Sequence, residues 1–152
     1  MKIAICGSLV FTYEMEQLAK DLRQLGFEVF LPLTSERILR GEVTLEEIKA
    51  EKLNGKITER VIKNNSIRAY CEVIKNSDAI LIANYDKNGV KNYIGGNAFL
   101  EMGYAHILEK PIFILNDIPD LSYTDEIREM QALVLNGNLS LIKQPNSFIL
   151  QA

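Results

Sequence analysis

Asp78-Ala79-Ile80-Leu81-Ile82-Ala83-Asn84 is an almost unbroken apolar run; a polar loop, Tyr85 to Gly96, follows it, and then Asn97-Ala98-Phe99-Leu100-Glu101-Met102-Gly103-Tyr104-Ala105. A short apolar run of this kind reads as a strand buried on both faces, as in a parallel sheet covered by helices. The loop holds Asn88-Gly89, a tight-turn dipeptide, together with Lys87 and Lys91. Asn97 is placed to cap the next helix, which reads on to about Glu109. In open parallel α/β sheets, ligands bind at the carboxyl ends of strands, where loops and helix N-termini converge. Glu101 is expected at such an edge.

Toward the N-terminus, residues 2–6 form a short apolar strand that Gly7-Ser8 ends. Met15, Leu18, Ala19, Leu22 and Leu25 follow helical spacing from Thr12 to Leu25, and Gly26 stops that helix. Phe27 to Leu31 is a second strand, closed by Pro32, and Thr34 to Gly41 reads as loop. Thr44-x-x-Glu47 has the form of a capping box opening a charged helix. A further helix is predicted from Ile57 to Lys75, with Ile67, Cys71 and Ile74 on one line. This helical insertion before the third strand is extra to a minimal doubly wound domain; it covers a site, makes a subunit contact, or simply packs.

Toward the C-terminus, Pro111 to Leu115 is a fourth strand, Asn116 to Tyr123 a long loop and Asp125 to Ala132 a short helix. Val134 with Leu141-Ile142 supplies the last strand. Alternating strands and helices give an α/β fold: a flavodoxin-like three-layer sandwich with a five-stranded parallel sheet, formed by one domain over residues 1–152.

The 152 residues, 47% of them hydrophobic, suffice for one real core and leave no room for a second domain. A formal net charge of −3 without a Lys/Arg block argues against a nucleic-acid polymer as partner. No apolar run reaches the roughly 20 residues needed to span a bilayer, and Met1 to Cys6 reads as a strand rather than a signal peptide, so a cytoplasmic protein is expected. The two cysteines, Cys6 and Cys71, form no CxxC pair and read as buried reduced thiols. His106 is the single histidine, so a multi-histidine metal site is excluded; it reads as a partly buried helix residue.

Several residues suit a ligand site. Gly7 and Ser8 offer free N–H groups and a hydroxyl after strand one, without the spacing of a dinucleotide or P-loop motif; phosphate or ribose contact and plain turn formation both fit Ser8. Glu101 is a carboxylate among apolar neighbours, where burial costs energy unless it is paired, and nearby helix amides would favour its anionic form. It reads as a ligand-facing nucleophile or as a glutamate complementing the helix dipole. Tyr104, three residues on, can hold Glu101 or wall the pocket, and Gly103 would let the helix approach the sheet closely. Asn84, Tyr85, Asp86, Asn92, Tyr93 and Asn97, with Gly95 and Gly96, bring amides, phenols and one acid to the same edge, suited to sugar hydroxyls and a heterocyclic base or to a plain surface loop.

Ile5-Cys6-Gly7-Ser8, Asn76-Ser77-Asp78-Ala79 and Glu101-Met102-Gly103-Tyr104-Ala105 resemble the nucleoside 2-deoxyribosyltransferase superfamily, which includes the 2′-deoxynucleoside 5′-phosphate N-hydrolases. The likeness runs from Met1 to about Leu115. It implies Glu101 as the nucleophile that attacks the anomeric carbon, expels the base and forms a glycosyl-enzyme opened by a second base or water. It implies a small-molecule nucleoside or nucleotide partner, no organic cofactor or metal, and a homo-oligomer whose pockets are completed by a neighbour's loop. The sequence also departs from the pattern. No aspartate precedes Gly95-Gly96, a second family aspartate falls at Tyr70, and the strand-one tyrosine falls at Ile5. Asp86, Tyr70, Tyr85 and Tyr93 are the substitutes for the missing proton donor. Gly7-Ser8-Leu9-Val10-Phe11 lacks the arginine of the phosphate-selective hydrolases, which favours nucleoside over nucleotide. The departures also admit a different class, a non-catalytic nucleoside- or nucleotide-binding module of the same fold, or a domain without a pocket.

Overall fold

Short strands buried on both faces can be satisfied only in the middle of a layered structure, and that requirement organises the chain. The computed structural model describes residues 1–142, apart from the side chains of residues 60, 61 and 63. Strands β1 (Lys2–Cys6), β2 (Glu28–Phe30), β3 (Ala79–Ile82), β4 (Ile112–Ile114) and β5 (Leu133–Val134) form one sheet in the order β2-β1-β3-β4-β5, every pair parallel. This is the flavodoxin-like strand order. The helices among the described residues are α1 (Thr12–Gln24), α2 (Leu33–Leu39), α3 (Leu45–Leu53), α4 (Ile57–Asn64), α5 (Ser66–Lys75), α6 (Gly96–Ile107) and α7 (Thr124–Glu129).

Side chains alternate across a strand, so each central strand feeds two cores. Ile3, Ile5, Ala79, Leu81, Ala83, Phe113 and Leu115 pack on one face against Met15, Leu18, Ala19 and Leu22 of α1. Ala4, Cys6, Ile80, Ile82, Ile112 and Ile114 pack on the other face against α5, α6 and α7, through Tyr70, Ile74, Ala98, Met102, Ala105 and Ile127. No helix among the described residues is long and apolar enough to cross a membrane.

The capping box at Thr44 and Glu47 is present with both reciprocal hydrogen bonds. Asn88-Gly89 makes the expected turn, both residues at positive φ, between Lys87 and Val90. Elsewhere the structure differs from the sequence reading. The segment read as loop after Pro32 contains α2, docked on α1 by a buried hydrogen bond of 2.9 Å between the Ser35 and Thr12 hydroxyls. The helix predicted over Ile57 to Lys75 is broken at Asn65, which takes a left-handed conformation that asparagine tolerates better than most residues. Leu141 lies in a 3₁₀ turn (Leu139–Leu141) and Ile142 is buried outside the sheet, so the last strand is β5 alone. Residues 143–152 of the expected domain lie outside the described residues. His106 is exposed rather than partly buried, and Cys71 is half-buried.

Two glycines exchange roles. A Cβ on Gly103 would meet nothing within 4 Å, so this residue does not serve close packing of α6 on the sheet. A Cβ on Gly7 would lie 3.0 Å from Met15 Sδ and 3.1 Å from the Ala83 carbonyl oxygen, which makes Gly7 the position of close approach. Gly103→Ala is therefore expected to stabilise the protein by about 0.5–1 kcal/mol through helix propensity, and Gly7→Ala to destabilise it by about 1–3 kcal/mol through overpacking. Thermal and denaturant melts by circular dichroism measure both; equal melts for the two variants would contradict this assignment.

Candidate functional site

The carboxyl ends of β1 and β3 release the chain into Gly7-Ser8 and into the loop 84–95, and α6 begins where that loop ends. Gly95 is the N-cap of α6 and no side chain caps the helix, so Asn97, expected as the cap, lies exposed inside the first turn. Gly96 is exposed beside it. The Gly95 carbonyl takes the first helical hydrogen bond, from the Phe99 N–H at 2.9 Å. The Tyr123 hydroxyl donates to the Ile94 carbonyl at 2.5 Å, and its ring stacks on Phe99 with centroids 4.5 Å apart, tying the start of α6 to the loop after β4.

Glu101 lies in the sixth position of α6, beyond the first turn where helix amides act strongly on a carboxylate. Burial dominates instead and pushes its carboxyl up to about 7; a hydrogen bond from the Cys6 thiol acts in the opposite sense. Glu101 keeps part of its surface open. Cys6 has none, and its thiol is pushed well up, first by burial and then by the charge and hydrogen bond of Glu101. Tyr70 of α5 adjoins this pair. Its hydroxyl donates to the Ile5 carbonyl and, at 3.4 Å, is oriented toward the Phe30 carbonyl, and burial, then Cys6 and Glu101, push it well up. Cys71 is raised by burial and by Glu101. Tyr104 is half-buried against the same core, and among the described residues no hydrogen bond joins it to Glu101.

A second group gathers over Ser8. Lys87 Nζ donates to Ser8 Oγ at 3.0 Å and lies 4.9 Å from the centroid of the Tyr93 ring. Burial pushes the Lys87 ammonium down, and the charge of Lys52 on α3 adds to the effect. The Tyr93 ring lies over Gly95, where a Cβ would come within 3.2 Å of its hydroxyl oxygen.

Other expected site residues hold the framework. Asn84 is fully buried: Nδ2 donates to the Asp117 carbonyl at 2.9 Å, with longer contacts of 3.4 Å to the Asn92 and Asn116 carbonyls, and Oδ1 accepts from the Asn116 N–H at 2.9 Å. It braces the two loops of the sheet edge to one another. Asp86 is exposed and accepts from the Asn92 N–H at 2.8 Å, closing the 86–92 loop. Tyr85 continues the odd-numbered face of β3 and packs edge-on against Phe11, centroids 5.3 Å apart, in the core opposite to that of Glu101. The structure thus gathers Cys6, Tyr70 and Glu101 in one cluster and Ser8, Lys87 and Tyr93 in another, both at the carboxyl end of β1. Two concavities open elsewhere, of about 290 Å³ beside Pro119 and Arg128 and about 320 Å³ between α1 and Tyr85; Glu101 lines neither.

Sequence reasoning missed Cys6 and Lys87. Cys6 was detectable by parity, because it follows Ala4 onto the helix-covered face that α6 packs against. Lys87 carries no local signal, since its partner Ser8 is 79 residues away. No group of three or more His, Cys, Asp or Glu among the described residues is arranged to hold a metal ion. Comparison of the chain with family models, curated proteins and solved structures gives no match.

The raised Glu101 carboxyl has a measurable consequence. The folded chain holds this proton more tightly than the unfolded chain, so between the ordinary value of 4.5 and about 7 the folded state binds more protons and stability falls as pH rises. The loss is at most about 3 kcal/mol, and partial exposure reduces it. Glu101→Gln should remove this slope and exceed the wild type in stability at pH 8; urea melts at pH 5 and pH 8 measure it, and parallel slopes for the two proteins would refute it.

Proposed function

We propose that this protein cleaves or transfers the N-glycosidic bond of 2′-deoxyribonucleosides or their 5′-monophosphates, with Glu101 as nucleophile. The observation that carries the reading is a carboxylate placed among apolar side chains at the carboxyl edge of a parallel sheet, partly open, with its titration moved to about 7. The resemblance in the Glu101 to Ala105 segment supports it. A Glu101 carboxylate oxygen attacks C1′; the C1′–N bond breaks, and the base leaves with the bonding pair and takes up a proton. Water or a second base then attacks C1′ and restores the carboxylate, giving hydrolysis or transfer.

The leaving base needs a proton donor. The Tyr70 hydroxyl is buried and committed to the Ile5 carbonyl, Tyr85 lies in the opposite core, and Asp86 is exposed and spent on the Asn92 N–H. Tyr93, with the Lys87 ammonium near its ring, is the remaining candidate for this role. Lys87 on Ser8 also brings a cation to the first loop, which supports the monophosphate arm despite the missing arginine. The same reading makes the protein a cytoplasmic homo-oligomer; Leu100 and Ile107, seven residues apart on α6 and largely exposed, offer apolar surface to a second copy. One observation favours a non-catalytic binding module instead: Tyr70 stands where the resemblance calls for an aspartate, and its hydroxyl is occupied by backbone.

Chromatographic detection of free base from a panel of 2′-deoxyribonucleosides and their monophosphates, with and without an acceptor base, tests the reading. Glu101→Gln should lower turnover by about a thousandfold or more, Tyr93→Phe by about ten- to a hundredfold, and kcat/KM should rise with pH through about 7 as Glu101 ionises. Near-normal turnover in a folded Glu101→Gln variant would overturn the mechanism. Thermal stabilisation by these ligands without base release would establish the binding module.

A further inference from the structure

Three Asn-Gly dipeptides occur in the chain, Asn54-Gly55, Asn88-Gly89 and Asn136-Gly137, and they differ in what the glycine nitrogen does. The Gly137 N–H donates to the Leu115 carbonyl at 2.8 Å and the Gly55 N–H to the Lys52 carbonyl at 3.4 Å, whereas the Gly89 N–H has no acceptor among the described residues. Asn88 and Gly89 are both exposed, at φ 49° and 77°, and form the two-residue tip of a hairpin. One pair of hydrogen bonds closes that tip: the Lys87 N–H donates to the Val90 carbonyl and the Val90 N–H to the Lys87 carbonyl, each at 2.9 Å. A hairpin held by so few bonds is marginal on its own and opens locally at far less cost than the whole fold. Below the tip the loop is pinned where Asp86 accepts from the Asn92 N–H at 2.8 Å, which confines such opening to the residues between them.

We propose that Asn88 is a site of spontaneous conversion to isoaspartate, and that the conversion withdraws Lys87 from Ser8. Glycine after asparagine leaves the peptide nitrogen unhindered, because no side chain stands beside it. The Gly89 nitrogen gives its proton to hydroxide and attacks Asn88 Cγ; the Cγ–Nδ2 bond breaks, and ammonia leaves with a proton taken from water. Water then opens the cyclic imide. Opening at Cγ gives aspartate, and opening at the main-chain carbonyl carbon of residue 88 gives isoaspartate, whose backbone runs through Cβ and Cγ. Both products carry one more negative charge than the amide, and neither route oxidises or reduces anything. Only isoaspartate adds a carbon to the backbone, and a hairpin whose loop length sets its turn type cannot then keep Lys87 opposite Val90. Lys87 Nζ reaches Ser8 Oγ at 3.0 Å and lies 4.9 Å from the centroid of the Tyr93 ring from that residue pair. The conversion therefore dismantles the Ser8 cluster while leaving α6 and Glu101 in place, and it is independent of the glycosyl chemistry proposed above.

The experiment holds the folded wild-type protein at pH 8 and follows each Asn-Gly peptide by mass spectrometry after digestion in mild acid, with isoaspartate identified by an isoaspartyl methyltransferase label. Asn88 should convert about five- to tenfold faster than Asn136, the margin that one retained backbone hydrogen bond supplies, and the two should convert at similar rates in urea. Equal rates in the folded protein, or a faster Asn136, overturn the proposal. Trace acetylation before digestion then reports on Lys87. Cleavage after glutamate leaves Lys87, residue 88 and the exposed Lys91 in one peptide, so labelling is read separately for the amide, aspartyl and isoaspartyl forms. Relative to Lys91, Lys87 should label roughly threefold or more faster in the isoaspartyl form. Asn88→Asp, which has the added charge without the longer backbone, should label at Lys87 as the amide form does. Unchanged labelling of Lys87 in the isoaspartyl form, or an equal rise in Asn88→Asp, overturns the loss of the Ser8 contact through backbone lengthening.

Discussion

β1 is buried from its second residue to its last, and a buried strand can place its side chains only alternately, into two separate cores. That constraint fixes most of what lies at the open edge of the sheet. Ile3 and Ile5 hold α1, Ala4 and Cys6 meet α5 and α6, and Gly7 then belongs to the α1 side, where Met15 and the Ala83 carbonyl come too close for a side chain. One residue later Ser8 is free of both cores and receives Lys87. A shift of one residue in the β1–β3 register would exchange these faces and carry Cys6 away from Glu101.

The electrostatics of Glu101 follow from where that geometry puts it. Three effects act on the carboxyl: desolvation, the helix N-terminus and a single thiol donor. The helix effect fades beyond the first turn, and Glu101 is past it. The thiol is a weak donor, so desolvation prevails and titration moves to about 7. A carboxylate held there is half-ionised near neutrality and costs the fold stability above it.

Much of the fold is legible because burial leaves period-two and period-3.6 patterns. Lys2–Cys6, Ala79–Ile82 and the α1 stripe are read directly from apolar spacing, and Thr44 with Glu47 from cap chemistry. The misses share a cause: they depend on polar or conformational features without such a period. α2 buries Ser35 against Thr12, so its inner face does not look apolar. The break at Asn65 is one residue's backbone choice, and the cap of α6 is a glycine, so Asn97 was a misleading signal. Glu101 was legible as a lone acid in an apolar helix; its partner Cys6 lies 95 positions earlier and only the sheet unites them.

The sheet edge is held rigid by groups that sequence alone assigns to ligand recognition. Asn84 illustrates why the two roles look alike before folding. A polar side chain at the end of a buried strand needs partners, and either a ligand or neighbouring loops can supply them. Here its amide donates to the carbonyls of Asn92, Asn116 and Asp117 and its Oδ1 accepts from the Asn116 N–H, which together with the Tyr123 hydroxyl on the Ile94 carbonyl locks the loops before α6 and after β4 to one another. Asp86 does the same for the 86–92 loop through the Asn92 N–H. With those side chains committed, Ser8, Lys87, Tyr93 and Glu101 form a smaller set than the sequence offers, carried on the turn after β1, the braced 84–95 loop and α6. Preorganisation of this kind reduces the entropy lost when a ligand is bound.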